Sequence, residues 1–460
     1  MLEIARSHFH SSMTTYPWVA SLANILPLSA LVDFLDVPRT LHISQLSSSI
    51  PYWCWSITPS GSRFLLSDTL TLEQCCLDEY GRTPSLLCLD GRYGDFYPAA
   101  SPETLRMCLD TLTPINIENT HENMARNDIR RHTLDIIRVS RQRNINIRPP
   151  FRLSALSALG WLLLAALLVL CILMHCWWAL AFLAAIPLTG ITISHVQATG
   201  PRWLRLENGS EYNRLVVAAQ HMNEMHWLVF YGESSTINSL LNWPLRMEPN
   251  ATTAGRRTRL WLRPLLRLLI LCQWILAIIA AALSGWDAYI VSFWVLVCVF
   301  AQTTLFSARQ TVPDWMGRYA QISMTKYRTQ LSSRRALLNT VIALNPDTMS
   351  EEVGCGGHLR WNLDHDGLAW IDPILKAGVE RTQWLEATQL AMEAWEERKS
   401  LNKWDKMYER DNGTRKYRQH RVTFIVEGIQ VCARIQEVAS LTGRLVKKTL
   451  ATSSGTSLGV

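Results

Sequence analysis

One stretch gathers most of the side chains that could do chemistry. From Glu351 to Pro373 the chain reads EEVGCGGHLRWNLDHDGLAWIDP, with Cys355, His358 and His365 as soft ligands and Asp364, Asp366 and Asp372 as hard ones. Cys355-x2-His358 has the spacing of half a zinc site, but no second pair of matching form accompanies it. Asp364-His365-Asp366 has the D-x-D form that can hold a divalent ion with the diphosphate of a sugar nucleotide. The apolar strand such a motif needs is replaced by Arg360-Trp361-Asn362, which favours a solvated turn. Cys355 as nucleophile with His358 as base is weaker still, because the neighbouring glycines preorganise nothing. Cys355, His358, Asp364, His365 and Asp366 thus stand as candidate metal ligands. No catalytic residue is assigned and no cofactor is expected.

Two further clusters invite a reading and resist it. His221, Glu224 and His226 resemble a metal set, yet residues five apart lie about 140° apart around a helix, so the two histidines point to different faces. A solvated His221 and a packed His226 are expected. The turn Gly232-Glu233-Ser234-Ser235 leads from a strand into a helix and could hold a phosphate. It lacks both glycine-rich phosphate patterns, so a plain serine N-cap is expected.

The elements that position these residues are organised around apolar blocks. From Phe151 to Val196 no Asp, Glu, Lys or Arg follows Arg152. As one helix the stretch would be roughly twice the thickness of a bilayer core, so it must double back. Helices at 153–174 and 177–193 are expected, with His175 and Cys176 at the turn. A second block has the same form, with helices at 265–283 and 288–306 joined by Ser284-Gly285-Trp286-Asp287. Small residues spaced by four (Ser154 and Ala158, Ala181 and Ala185, Ala277 and Ala281) let helices approach closely.

Charge gives the direction. The formal net charge is +7, and the bases crowd the ends of the apolar blocks. Arg126, Arg130, Arg131, Arg138, Arg141, Arg143, Arg148 and Arg152 precede the first; Arg256, Arg257, Arg259, Arg263 and Arg267 introduce the second; Arg309, Arg318, Lys326, Arg328, Arg334 and Arg335 follow it. Both hairpin tips lack Lys and Arg, so the termini and the connector are expected on the cytosolic side. No aromatic residues interleave the first basic run, so nucleic acid is not an expected partner. The bilayer is the expected partner, with proteins on the cytosolic face. The chain has 11 cysteines. Cys171, Cys272 and Cys298 sit in apolar runs, and Cys54, Cys75, Cys76, Cys88 and Cys108 show no C-x2-C spacing, which points to reduced, cytosolic thiols.

The fold class expected is an α-helical integral membrane protein with four transmembrane helices in two hairpins, a cytosolic mixed α/β N-terminal domain and a mainly α C-terminal domain. The divisions run 1–125 for the N-terminal domain, 126–152 for a basic juxtamembrane segment and 153–195 for the first hairpin. They continue with 196–264 for a helix-strand-helix connector, 265–306 for the second hairpin, 307–448 for the helical domain and 449–460 for a disordered tail. In the connector Tyr212, Leu215, Val216, Ala219, Met222, Asn223 and His226 fall on one helical face, ahead of a strand at Trp227–Tyr231. Trp18–Val32 is moderately apolar. Asn24 and Pro27 interrupt it and no basic leader frames it, so it reads as an amphipathic helix on the domain or the membrane.

The connector EYNRLVVAAQHMNEMHWLVFYGESSTINSLLNWPL, taken with the two hairpins, resembles multi-pass membrane proteins of filamentous fungi that have no assigned activity. The likeness covers roughly Phe151 to Arg309. It implies no activity and no site residues, but it makes an endomembrane such as the endoplasmic reticulum the expected location, with the plasma membrane as the alternative. A transporter should carry ionisable residues within its spans, and these hold Gln273, Gln302 and a few hydroxyls, with Arg267 and Asp287 only at the ends. A non-catalytic scaffold or accessory protein is the preferred function, and a membrane-anchored enzyme using the 354–372 loop is the alternative.

Overall fold

The computed structural model describes residues 37–47, 52–55, 75–80, 84–121, 131–142, 151–197, 200–206, 212–247, 253–345, 349–350, 360–361 and 419–454, without 222, 284 and 306. Leu65, Met124 and scattered positions from 371 to 388 are also described. The N-terminal part holds α1 (Val37–Ser47), a 3-10 turn (Tyr52–Cys54), α2 (Cys76–Tyr80), β1 (Leu87–Asp90), β2 (Phe96–Pro98), α3 (Pro102–Thr111), β3 (Ile115–Ile117) and β4 (His132–Arg141). The first apolar pair follows as α4 (Phe151–Leu173) and α5 (Trp177–Gln197). Next come β5 (Arg202–Trp203), β6 (Asn213–Ala219), β7 (His226–Glu233), α6 (Ser234–Leu241) and β8 (Arg246–Met247). The second apolar pair is α7 (Thr253–Leu283) and α8 (Trp286–Phe300), closed by a π turn at Ala301–Leu305. After it stand α9 (Ala308–Arg318), β9 (Ile322–Leu331), α10 (Arg334–Leu344), β10 (Met349–Ser350), β11 (Arg360–Trp361) and α11 (Gln419–Ser454).

Four of these helices are long and apolar enough to cross a membrane, over Ser154–Met174, Trp177–Val196, Trp261–Leu283 and Trp286–Thr304. The rest is organised by a seven-stranded mixed sheet of order β2-β1-β6-β7-β4-β9-β3. β4 runs parallel to β7 and antiparallel to β9, and β3 runs parallel to β9. The sheet therefore takes strands from before the first apolar pair, from between the pairs and from after the second.

Alternation along the strands explains the two layers. On one face Leu134, Ile136, Leu215, Val217, Trp227, Val229 and Tyr327 pack against Leu337 and Val341 of α10 and Ile425, Ile429 and Cys432 of α11. On the other, Ile137, Val139, Val216, Ala218, Phe230 and Met324 join a core that continues through α3, α6 and α9 into the apolar helices. Strands buried on both faces read as nearly unbroken apolar runs. That corrects the expected helix after Tyr212: in NRLVVAA every residue after Asn213 is buried, and the segment is the interior strand β6. Its apolar residues had matched helical spacing because almost every position is apolar, a pattern that periodicity cannot assign.

The domain divisions are corrected in the same way. Residues 132–141, expected within a basic juxtamembrane segment, form β4, where Leu134 and Ile136 serve one face and Ile137 and Val139 the other. Residues 322–331, expected in a helical domain, form β9. The three soluble segments are thus one sheet, not separate domains. The last helix continues to Ser454, past the expected start of a disordered tail at 449, and no proline or glycine interrupts it after Gly443. Trp18–Val32 lies outside the described residues.

Candidate functional site

The loop singled out by its chemistry is only partly described: Cys355, His358, Asp364, His365 and Asp366 lie outside the described residues. Of its neighbours, Arg360–Trp361 pairs antiparallel with Met349–Ser350, and Asp372 forms an ion pair with Arg381. The connector residues His221, Glu224, His226 and Gly232–Ser235 are described. His221 and His226 do not meet at a shared site: Glu224 Oε2 accepts the backbone N–H of Gln220 at 2.6 Å, and His226 Nε2 lies 2.8 Å from Asp135 Oδ2. At the turn into α6 the N-cap is Glu233 instead of a serine, and Ser235 and Thr236 donate to its carboxylate. Gly232 serves strand approach, since a Cβ there would lie 2.2 Å from the carbonyl oxygen of Val139.

Sequence reasoning missed a buried polar cluster formed by α1, α2 and α3. His42, Cys75 and Asp78 have ligand atoms within 4.8 Å of one another. Leu77 N–H donates to His42 Nδ1 at 3.1 Å, which leaves the ring proton on Nε2, facing Thr104 Oγ1 at 2.9 Å. The Thr104 hydroxyl donates to Asp78 Oδ2 at 2.7 Å, and Asp78 Oδ1 accepts the N–H groups of Glu103 and Thr104 at 2.8 and 3.2 Å. Asp78 thereby caps α3 from 25 residues away, where the local N-cap Ser101 makes no side-chain bond. Burial, helped by the charge of Arg202, lowers the His42 pKa to about 3. Burial raises that of Asp78 to about 6 against the pull of its hydrogen bonds.

Histidine, cysteine and aspartate are a reasonable zinc set by type. Both ring nitrogens of His42 are nonetheless committed, both Asp78 oxygens accept hydrogen bonds, and Cys75 has the Arg202 cation beside it. The geometry fits a closed structural network better than an ion site. No signal in the sequence linked Asp78 to the start of α3.

A second cluster lies under the middle strands. Asp135 of β4 is fully buried and faces Arg328 directly across to β9, which donates to it through Nε and Nη2 at 2.7 Å each. His226 of β7 and Lys326 Nζ, at 3.1 Å, complete the set. Burial alone would raise the carboxyl pKa; the bonds from Arg328 and His226 and the charge of Lys326 hold it well below the usual carboxylate range.

The third arrangement is among the apolar helices. The turn at Tyr52–Cys54 and the following Trp55 sit between them, with Trp53 and Trp55 each 2% exposed. Gln302 Nε2 donates to the carbonyl of Cys54 at 2.7 Å, and Gln273 Nε2 donates to Thr189 Oγ1 at 2.8 Å and to the carbonyl of Trp55 at 3.4 Å. Trp53 meets Trp294 edge-on at 5.9 Å. Two glycines make room: a Cβ on Gly160 would lie 2.1 Å from the Trp53 ring, and one on Gly190 would lie 2.3 Å from the Tyr52 carbonyl oxygen. Gly190 is about 20 Å along α5 from Trp177 at about 1.5 Å per residue, well inside the helical layer. The two glutamines that stood out in the apolar runs are the partners of this inserted backbone. Irregular backbone within such a layer requires that kind of pairing.

No known protein family, curated protein or solved structure matches this chain. The likeness to fungal membrane proteins gains no support from these comparisons.

Proposed function

We propose that the chain is a polytopic membrane protein, held in an endomembrane by two helical hairpins, whose single α/β body faces the cytosol and acts as a non-catalytic scaffold or accessory protein. One observation carries the reading. β4, β6, β7 and β9 belong to one sheet although the two apolar pairs interrupt the chain between them, so each hairpin must return to the side it left. The outward faces of these helices support lipid as their surroundings: Leu159, Leu162, Ile172, Leu268, Leu271, Leu296 and Phe300 are large, apolar and exposed. The arginines at the body ends of the helices, against none at the tips, favour the cytosol for that side.

A scaffold is favoured over an enzyme because the described polar clusters are closed on themselves, one capping a helix and one joining three strands. The inserted 52–55 segment fills the space among the helices, which also disfavours a permeation path.

The test has two arms. A cysteine introduced at Ser284 should be labelled by a membrane-impermeant maleimide only after the organelle membrane is permeabilised, and the sequons at Asn208, Asn250 and Asn412 should carry no glycan. Separate alanine substitutions of Cys355, His358, Asp364 and Asp366 should leave co-purifying proteins unchanged in mild detergent. Labelling of the tip from the cytosol overturns the topology. Loss of a cellular phenotype at normal abundance in any of the four variants overturns the non-catalytic reading.

A further inference from the structure

At the end of the sheet away from the hairpins the body opens a cleft of about 550 Å³ lined by His132, Asn223, Met225, Ser333, Arg334, Arg335 and Phe424. Its position follows from strand direction. β4 begins at His132 and runs ten residues in the chain direction of α4, so at about 3.3 Å per residue the cleft lies roughly 30 Å from the far end of the strand, which in the proposed topology holds it away from lipid headgroups.

Among the described residues the cleft is cationic and unneutralised. Arg334 Nη1 lies 3.4 Å from Asn223 Oδ1, and its guanidinium sits 5.5 Å from the centre of the Trp227 ring. No carboxylate pairs with Arg334 or Arg335 among the described residues. Of the described acids that lie close in sequence to lining residues, Glu224 accepts from Gln220, Glu427 accepts from Ser332 and Asn119, and Asp135 is bound by Arg328. His132 adds a ring donor or acceptor. Its Nδ1 is buried without a partner among the described residues, and burial, then the charge of Arg334, lowers the pKa of the ring. Met225 and Phe424 supply an apolar wall.

We infer that this cleft binds a small soluble phosphate monoester carried on a flat organic group, with Arg334 and Arg335 on the phosphate and Phe424 and Met225 against the ring. Two arginines match the charge of a monoester, close to −2 at neutral pH, where a carboxylate would need only one. The volume is in the range of small-molecule sites and too small for a folded partner. The site itself uses only the α/β body; that its ligand is soluble instead of a lipid headgroup rests on the proposed topology.

The experiment is equilibrium binding on the full chain in mild detergent, with adenosine monophosphate, phenyl phosphate, inorganic phosphate, adenosine and a phosphoserine peptide as probes. Both organic monoesters should bind, inorganic phosphate at least tenfold more weakly, and adenosine not measurably. Arg335 is exposed, so Arg335→Glu should leave the unliganded melting temperature unchanged while weakening both monoesters tenfold or more. Phe424→Ala should weaken the monoesters and spare inorganic phosphate. Equal binding by wild type and Arg335→Glu, no binding of either monoester at millimolar concentration, or binding of the phosphopeptide alone each overturns the assignment.

Discussion

Asp287, in the first turn of α8, accepts the backbone N–H of Ala179, in the first turn of α5, at 2.8 Å. One carboxylate thus ties the tips of the two hairpins, and it does so at a helix N-terminus, where exposed N–H groups and the helix dipole both favour an anion. Asp287→Ala should lower the melting temperature in detergent by an amount corresponding to about 0.5–2 kcal/mol. Asp287→Asn, which keeps the acceptor, should cost less. Equal stability of all three proteins would mean that the tips are held by packing alone.

The inserted segment makes a sharper prediction. Gln302→Leu leaves the Cys54 carbonyl without its amide partner in an apolar layer, at a cost of about 1–3 kcal/mol. Gly160→Ala and Gly190→Ala force a methyl group into Trp53 and into the backbone at Tyr52, and overpacking of this kind costs typically about 1–3 kcal/mol. Cys54 is fully buried, so its rate of maleimide modification reports displacement of the segment. All three variants should raise that rate well above wild type. A variant that unfolds globally would expose Cys432 as well, which separates the two outcomes.

His42 and Asp78 should give the body opposite pH dependences. The folded-state pKa of His42 is lowered from 6.5 to about 3, so the unfolded chain binds the extra proton between those values and stability rises with pH there. The pKa of Asp78 is raised from 3.8 to about 6, so the folded chain binds the extra proton and stability falls with pH over that interval. In wild type the two slopes offset each other between about pH 4 and 6. The stability of Asp78→Asn relative to wild type should therefore increase from pH 4 to 6, by no more than about 1.4 kcal/mol per pH unit. That of His42→Gln relative to wild type should decrease over the same range. Chemical denaturation at a series of pH values reads both differences, and a common sign for the two would refute the assignment.

What the sequence disclosed and what it hid follow from the range of the interactions. The hairpins were legible because length, lack of charge and flanking arginines are local properties, and the boundaries at 173–177 and 283–286 came out within a few residues. The sheet was hidden because its strands are far apart in sequence: β4 pairs with β9 across some 190 positions, and nothing in HTLDIIRVSR or ISMTKYRTQL names a partner. Arginines at 138 and 141 looked like a membrane flank, while Asp135 in the same run was the buried centre of an ion cluster. Gln273 and Gln302 were visible as polar residues in apolar runs. The backbone they satisfy lies more than 200 residues earlier.

That ion cluster gives the most direct test of how the sheet is held. Asp135 is fully buried, whereas the Arg328 side chain is 37% exposed and can turn to solvent if its partner is lost. Truncating the two sides should therefore not be equivalent. Asp135→Ala lets Arg328 turn to solvent but leaves Lys326, buried on the same strand, without its anion, and removing one partner of a buried pair costs about 3–5 kcal/mol. Asp135→Asn keeps hydrogen-bonding capacity and should cost less. Arg328→Ala leaves Asp135 with His226 and Lys326 still in reach, so it should cost least of the three. Because the carboxyl pKa is depressed in the folded state, the contribution is complete above the ordinary carboxylate range, about pH 4, and is lost as pH falls towards the lowered value. Denaturant unfolding at pH 7 and at pH 3 measures both effects, and the gap between wild type and Asp135→Ala should narrow at the lower pH. A loss below about 1 kcal/mol for Asp135→Ala at pH 7 would mean that backbone pairing and the apolar faces hold β7, β4 and β9 together without it.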